Sequence, residues 1–367
     1  MLTPHLSLLP VEMAAGRLVV CAGHHTLMSD STWAGGAKRV ATRIFHLWLG
    51  LGTIFAAACN TELRWKEIHA VGPSERWGAR ALLDARRDRV LLFGGSGAQK
   101  LGDLWSFNLE TERWEQVPFD SGPSARDTGA FLVDPSGQRA LYYGGRGGPA
   151  ALSEIWALDL ASLTWTRLVD GAPGRFEFGI ATHEGLAWFY GGNLQGDIEN
   201  NELWEMDLAQ ATMRQLPAGQ MRPHPSTSPA LMFRDGAIYL TGGHDNSGHV
   251  GFGTWRYVLA ASSWEELQPR GQLAAEAHMG YGFDDACDRL LLHGGDNANG
   301  MDVTTLVQFR PGPLELTQLP AKESPPPRRH HVAIWDGSRR NLFLFGGWSG
   351  ADVLYRDTWT LNLPSCP

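Results

Sequence analysis

Residues 89–95 read Arg89-Val90-Leu91-Leu92-Phe93-Gly94-Gly95, an apolar run that stops at a glycine pair, and the chain repeats this pattern. The equivalents are RALYYGG ending at Gly145, LAWFYGG at Gly192, AIYLTGG at Gly243, RLLLHGG at Gly295 and NLFLFGG at Gly347, spaced by 50, 47, 51, 52 and 52 residues. Self-similarity at such a period marks a repeat architecture in which each unit is one supersecondary element. The runs are aliphatic and aromatic without alternation, which suits a strand covered on both faces. The glycines end it because a residue without Cβ can enter left-handed backbone and let a neighbouring chain come close.

After each pair comes a polar loop and then a second signature: DLWSFNLETERWEQV from Asp103, EIWALDLASLTWTRL from Glu154, ELWEMDLAQATMRQL from Glu202, TWRYVLAASSWEEL from Thr254 and RDTWTLNL from Arg356. Trp105, Trp156, Trp204, Trp255 and Trp359 recur on the third strand, and Trp114, Trp165 and Trp264 on the fourth. Rings of this size fill widening gaps between blades, each contributing a few kcal/mol of apolar burial. Val307 and Leu316 replace both tryptophans in the fifth repeat and Met213 the second in the third, so looser packing is expected there.

From Trp65 to Leu363 the pattern resembles the kelch repeat, and the resemblance implies an all-β chain of four-stranded blades arranged radially as a propeller. The sixth repeat stops after its third strand, while LRWKEIHAV at 63–71 has the fourth-strand pattern, with Trp65 and Ile68 where Trp114 and Val117 stand in the next repeat. The expected fold is therefore a six-bladed kelch β-propeller, closed by an N-terminal outer strand pairing in the C-terminal blade, which removes two exposed edges.

The chain has 367 residues, which at about 150 per domain would suggest two or three domains unless one all-β unit absorbs the length, as here. Hydrophobic residues at 43% give material for a core, and a net charge of -8 argues against nucleic acid as a partner. Lys38, Arg39 and Arg43 precede an apolar run from Ile44 to Ala58 that is too short for the ~20 residues of a membrane-crossing helix, the pattern of a secretory signal. Ala56-Ala57-Ala58-Cys59 resembles the lipobox of bacterial lipoproteins, with Ala56 departing from the usual Leu, and implies lipidation at Cys59. The alternative is an ordinary signal peptide with an incidental cysteine. The expected organisation is 1–37 unstructured or before a mis-assigned start, 38–58 signal peptide, 59–64 tether and 65–367 propeller. The expected location is the bacterial cell envelope, lipid-anchored on the periplasmic or surface side. Cys287 and Cys366 are left as a candidate disulfide.

Loops after the Gly pairs and loops leading into the inner strands share one face, the place to look for a site. Arg76, Arg126, Arg175 and Arg329 stand at or just before inner strands. Two roles fit them: a basic rim for an anionic peptide or acidic sugar, or ties to loop carbonyls between adjacent blades. His244, His249 and Trp348 follow Gly pairs and complete the candidate ligand face; His244, Asp245 and His249 lack a recognised metal-ligand spacing, and no metal is assigned. Kelch-like galactose oxidase would need a Cys linked to Tyr, whereas Cys287 lies in the turn DDACDRL. No cofactor is expected and no catalytic constellation stands out. The chain is read as a monomeric binding or scaffolding module for a protein or saccharide, meeting the membrane only through its lipid. The alternative is a sugar-processing propeller similar to a sialic acid mutarotase, with Asp197, Glu199 and Asp296 as candidate acid and base groups.

Overall fold

The computed structural model describes residues 62–366 apart from 171, 172, 246, 248, 250, 252 and 351; the signal segment 38–58 and Cys59 lie outside the described residues. Among the described residues six four-stranded antiparallel blades form the body of the fold, with short two-stranded hairpins at its loops. Their inner strands are Arg80–Asp84, Ala130–Val133, Gly179–His183, Ala230–Arg234, Gly280–Asp284 and Val332–Asp336, in blades 1 to 6. The apolar runs form the second strands, buried along nearly their whole length, as Val90 to Phe93 at 0% exposure show.

Blade 6 is completed from the other end of the chain. Leu63–Ile68 runs antiparallel to Val353–Asn362, with Trp65 opposite Leu361 and Glu67 opposite Trp359. Leu63 and Arg64 also lie parallel to Ala321 and Lys322, so the closing strand begins two residues ahead of Trp65.

Each of the six blade interfaces carries its own apolar cluster. The 5–6 interface packs Trp65 with Leu291, Leu306, Leu342, Leu344 and Leu361. Across the 6–1 interface Trp114 lies 5.1 Å from the Phe345 ring and donates from Nε1 to Thr358 Oγ1 at 3.0 Å. Val307 and Leu316, where blade 5 lacks tryptophan, are buried in the 4–5 cluster, whereas Met213 is only half-buried beside the 2–3 cluster.

The glycine pairs have a specific cause. The second glycine of each blade donates its N–H to the residue that leads into the next blade: Gly95 to Arg126, Gly145 to Arg175, Gly192 to Ser226, Gly243 to Glu276, Gly295 to Arg328 and, closing the circle, Gly347 to Arg76, at 2.6–2.9 Å. The same carbonyls sit over the first glycines: a Cβ on Gly346 (φ +67°) would lie 2.7 Å from Arg76 O. A side chain there would push adjacent blades apart.

Cys287 and Cys366 are bonded, with Cα atoms 5.4 Å apart, joining the first hairpin of blade 5 to the C-terminal segment. Arg340 donates to Pro364 O at 2.7 Å beside this bridge.

Candidate functional site

The side chains of Arg76, Arg126 and Arg175 do not form a rim. They are 1%, 0% and 0% exposed, and each points into its own blade. Arg76 Nη1 donates to Gly94 O at 3.0 Å and both Nη atoms meet Asp103. Arg126 repeats this with Gly144 O and Glu154, and Arg175 with Gly191 O and Glu202. In blade 6 the equivalent is Arg328, bonded to Gly346 O and Asp357. The clamp fastens the start of the inner strand to the glycine corner, and the third-strand tryptophan steadies the acid: Trp105, Trp204 and Trp359 donate from Nε1 to Asp103, Glu202 and Asp357. Blades 4 and 5 lack both partners, with Ser226 and Glu276 in the Arg position and Gly253 and Thr305 in the acid position. Losing the pair together avoids leaving one buried charge unmatched.

Two residues beyond each clamp position the chain turns onto the axis. Gly78, Thr128, Glu177, Ser228, His278 and His330 all adopt left-handed backbone, φ +51° to +66°. Their main chains bond around the axis: Thr128 N to Gly78 O, Glu177 N to Thr128 O, Ser228 N to Glu177 O, His330 N to His278 O and Gly78 N to His330 O, at 2.6–3.1 Å. Non-glycine residues pay for this conformation, and these five bonds, which run around the axis from His278 to Ser228, hold them in it. Because only main-chain atoms build the ring, the six side chains are free to differ.

The same freedom holds in the surrounding tier. Trp77, Asp127, Phe176, Thr227, Ala277 and Arg329 bridge through main chain to the residue after each Gly pair: Ser96, Arg146, Asn193, His244, Asp296 and Trp348. One polar cluster lies on the side of blades 4 to 6, and Lys100 pairs with Asp127 on the side of blades 1 and 2. His278 Nδ1 lies 2.7 Å from Asp296 Oδ1, and Arg329 meets Asp296 Oδ2 at 2.8 Å and Asp302 at 2.6 Å. The Arg329 guanidinium rests 4.7 Å over Trp348. The His244 and His330 rings lie 4.3 and 4.0 Å from that of His278. Among the four arginines named from sequence, Arg329 alone faces this site, together with His244 and Trp348.

Burial dominates the titration of this cluster. It pushes His244 down to about 4, helped by charge on His278, and drives His330 well below the usual imidazole value. Burial would raise Asp296, but its bond to His278 and the charges of His278 and Arg329 outweigh that and hold it low. Glu177 is pushed up by burial, partly offset by His278.

His249 is 75% exposed and belongs to a local turn, its N–H and Nδ1 meeting Asp245 at 2.9 and 3.1 Å. Among the described residues no three His, Cys, Asp or Glu side chains are grouped to hold a metal ion. Asp197 and Glu199 sit on a blade 3 hairpin, with Asp197 3.7 Å from Arg146, whereas Asp296 in blade 5 is committed to His278 and Arg329. The three carboxylates are therefore not assembled as one acid and base set.

Below the ring the inner strands surround an axial cavity of about 1130 Å³. A closed ring of six Gly-Gly blades, with a varied side-chain crown over an axial channel, defines a kelch-type propeller. A profile described as the KLHDC2/KLHL20/DRC7 Kelch-repeats domain matches residues 52–243 and 120–285, and the chain belongs to this kelch-repeat family. It is 24% identical over 302 residues to Adagio protein 3 of Arabidopsis thaliana, covering 76% of this chain and 48% of that protein. It is also 29% identical over 133 residues to Kelch domain-containing protein 10 of Xenopus tropicalis, covering 34% of this chain and 32% of that one. The match spans about half or less of the length of these relatives.

Proposed function

We propose that the crown around the Gly-Gly loops binds a protein partner, the blades serving as a rigid scaffold. The observation that carries this reading is where apolar surface is left uncovered. Among the described residues the exposed large hydrophobics are Val71, Leu168, Ile198, Met221, Met301 and Val353. Ile198, Met301 and Val353 belong to loops after Gly pairs, Val71 and Met221 to loops leading into inner strands, and Leu168 to the last half of the outer strand that rises to the same face. These residues stand singly on different blades, but all on the one face, where a partner wide enough to span the crown would bury several of them together.

The protein is exported and held to the envelope membrane by lipid at Cys59, a reading that rests on the basic residues, apolar run and small residues of 38–59. The disulfide between Cys287 and Cys366 is consistent with an oxidising compartment. Affinity capture with the wild type and with the double variant Ile198→Asp and Met301→Asp tests the partner reading: a protein retained by the first and lost by the second, at equal melting temperature, supports it. Equal retention, or binding confined to a glycan array, overturns it. Cys59→Ser should move the protein from the detergent to the aqueous phase or block its processing; unchanged partition removes the anchor.

A further inference from the structure

The wall of the cavity below the crown carries a charge that the described residues leave without a carboxylate in direct contact. Among the described residues its wall carries two cationic side chains besides histidine, Arg80 and Arg234. Arg234 is ion-paired to Asp235 and Asp288. Arg80 donates from Nε to Gly129 O at 2.6 Å, across the boundary from blade 1 to blade 2, and among the described residues forms no ion pair with a carboxylate. The buried guanidiniums of Arg76, Arg126, Arg175 and Arg328 are each matched by an acid. A half-buried cation on the wall of a partly open cavity, with no carboxylate in direct contact, is completed by an anion or by water.

We infer that the upper end of the axial cavity is a site for a small organic carboxylate, whose anionic head pairs with Arg80 and whose apolar body runs down the lumen. The Nε bond fixes the plane of the guanidinium and leaves its two Nη groups for a bidentate partner. Arg80 opens its inner strand on the crown side, near His278 and His330, which also line the cavity. Tyr281 does not compete for the anion: its hydroxyl accepts from Ile180 N at 2.8 Å and donates to Ile180 O at 3.1 Å. Ile180, Phe233 and the Tyr281 ring supply apolar wall. The other end is lined by Asp235, Asp285 and Asp288 against Arg234, so a carboxylate is repelled there and its orientation is set. Glu177, the carboxylate of the axial ring, feels the charge of Arg80 but does not pair with it directly, and burial pushes Glu177 towards its neutral form. A volume near 1130 Å³ is ample for such a molecule.

The site lies beneath the partner-binding crown and shares His278 and His330 with it, but its test uses a small probe. 4-Phenylbutyrate and its neutral amide are titrated into the full chain by calorimetry. The acid is expected to bind saturably and about tenfold or more tighter than the amide, the worth of a charge-assisted hydrogen bond pair. Arg80→Met should erase that difference and Arg80→Lys keep part of it, while Ile198→Asp with Met301→Asp leaves probe binding unchanged. Equal affinity for acid and amide, unchanged acid binding in Arg80→Met, or no saturable binding of the acid overturns the proposal. If Arg80→Met does not fold, the acid against amide comparison on the wild type decides alone.

Discussion

Replacing Trp65 by Ala removes the largest side chain that the closing strand contributes to the last blade. Trp65 is 1% exposed, its ring 4.9 Å from that of His293 in blade 5, within a cluster drawn from blades 5 and 6. Deleting a fully buried Trp costs about 3–5 kcal/mol, a large share of the ~5–15 kcal/mol that holds a native domain. Trp65→Phe should cost much less, because the buried Nε1 of Trp65 has no hydrogen-bond partner and its removal relieves an unpaired donor worth ~1–3 kcal/mol. Trp348→Ala, on the crown, loses a half-exposed ring and its contact with Arg329 and should cost only about 1 kcal/mol. Urea unfolding followed by circular dichroism reads all three. A loss below about 1 kcal/mol for Trp65→Ala would show that the strand is a dispensable appendage, and the reasoning about closure would fail.

Gly346→Ala and Gly148→Ala both force alanine into left-handed backbone, at about 1–2 kcal/mol each, but only the first places a Cβ against Arg76 O; nothing lies within 4 Å of the second. Gly346→Ala should therefore melt distinctly lower, and equal melting temperatures would refute the close-approach account of the glycine pairs. The bridge between Cys287 and Cys366 closes 79 residues, so reduction or Cys366→Ser should lower stability by at most about 4.5 kcal/mol, and alkylation of Cys287 or Cys366 in untreated protein would contradict the bond. The unfolded His244 takes a proton near pH 6.5, whereas in the fold it resists until about 4, so its contribution to stability is full above 6.5 and is lost as pH falls towards 4. His244→Asn should make that part of the pH profile of unfolding less steep, the buried His293, His330 and His331 keeping the rest of the slope, and an unchanged profile would place the imidazole in solvent.

The architecture was legible because its causes are periodic. An apolar run, a glycine pair and a tryptophan recurring near every 50 residues state the blade, and LRWKEI at one end supplies what the other lacks. The site was less legible because its key bonds are main-chain bonds, which leave no residue preference to read. Thr128, Glu177, Ser228, His278 and His330 share a left-handed turn that nothing in their side chains announces. The arginines were readable but not as a rim: an Asp or Glu two residues before Trp105, Trp156, Trp204 and Trp359 accompanies each clamp Arg, and both are missing in blades 4 and 5. Counting 18 residues back from Gly94, Gly144 and Gly346 reaches Arg76, Arg126 and Arg328, so the register itself sets Arg329 apart as the one turned to the crown.

Recognition by the crown is tested most directly by placing a photo-crosslinking residue at single positions in the producing cell. Ile198 and Met301 stand on the crown, whereas Glu110 and Ala260 are exposed on turns at the opposite face. Adducts with one protein from the first two positions and none from the last two are the expected result. Adducts from Glu110 and Ala260 with none from Ile198 and Met301 would place recognition on the wrong face and contradict the account.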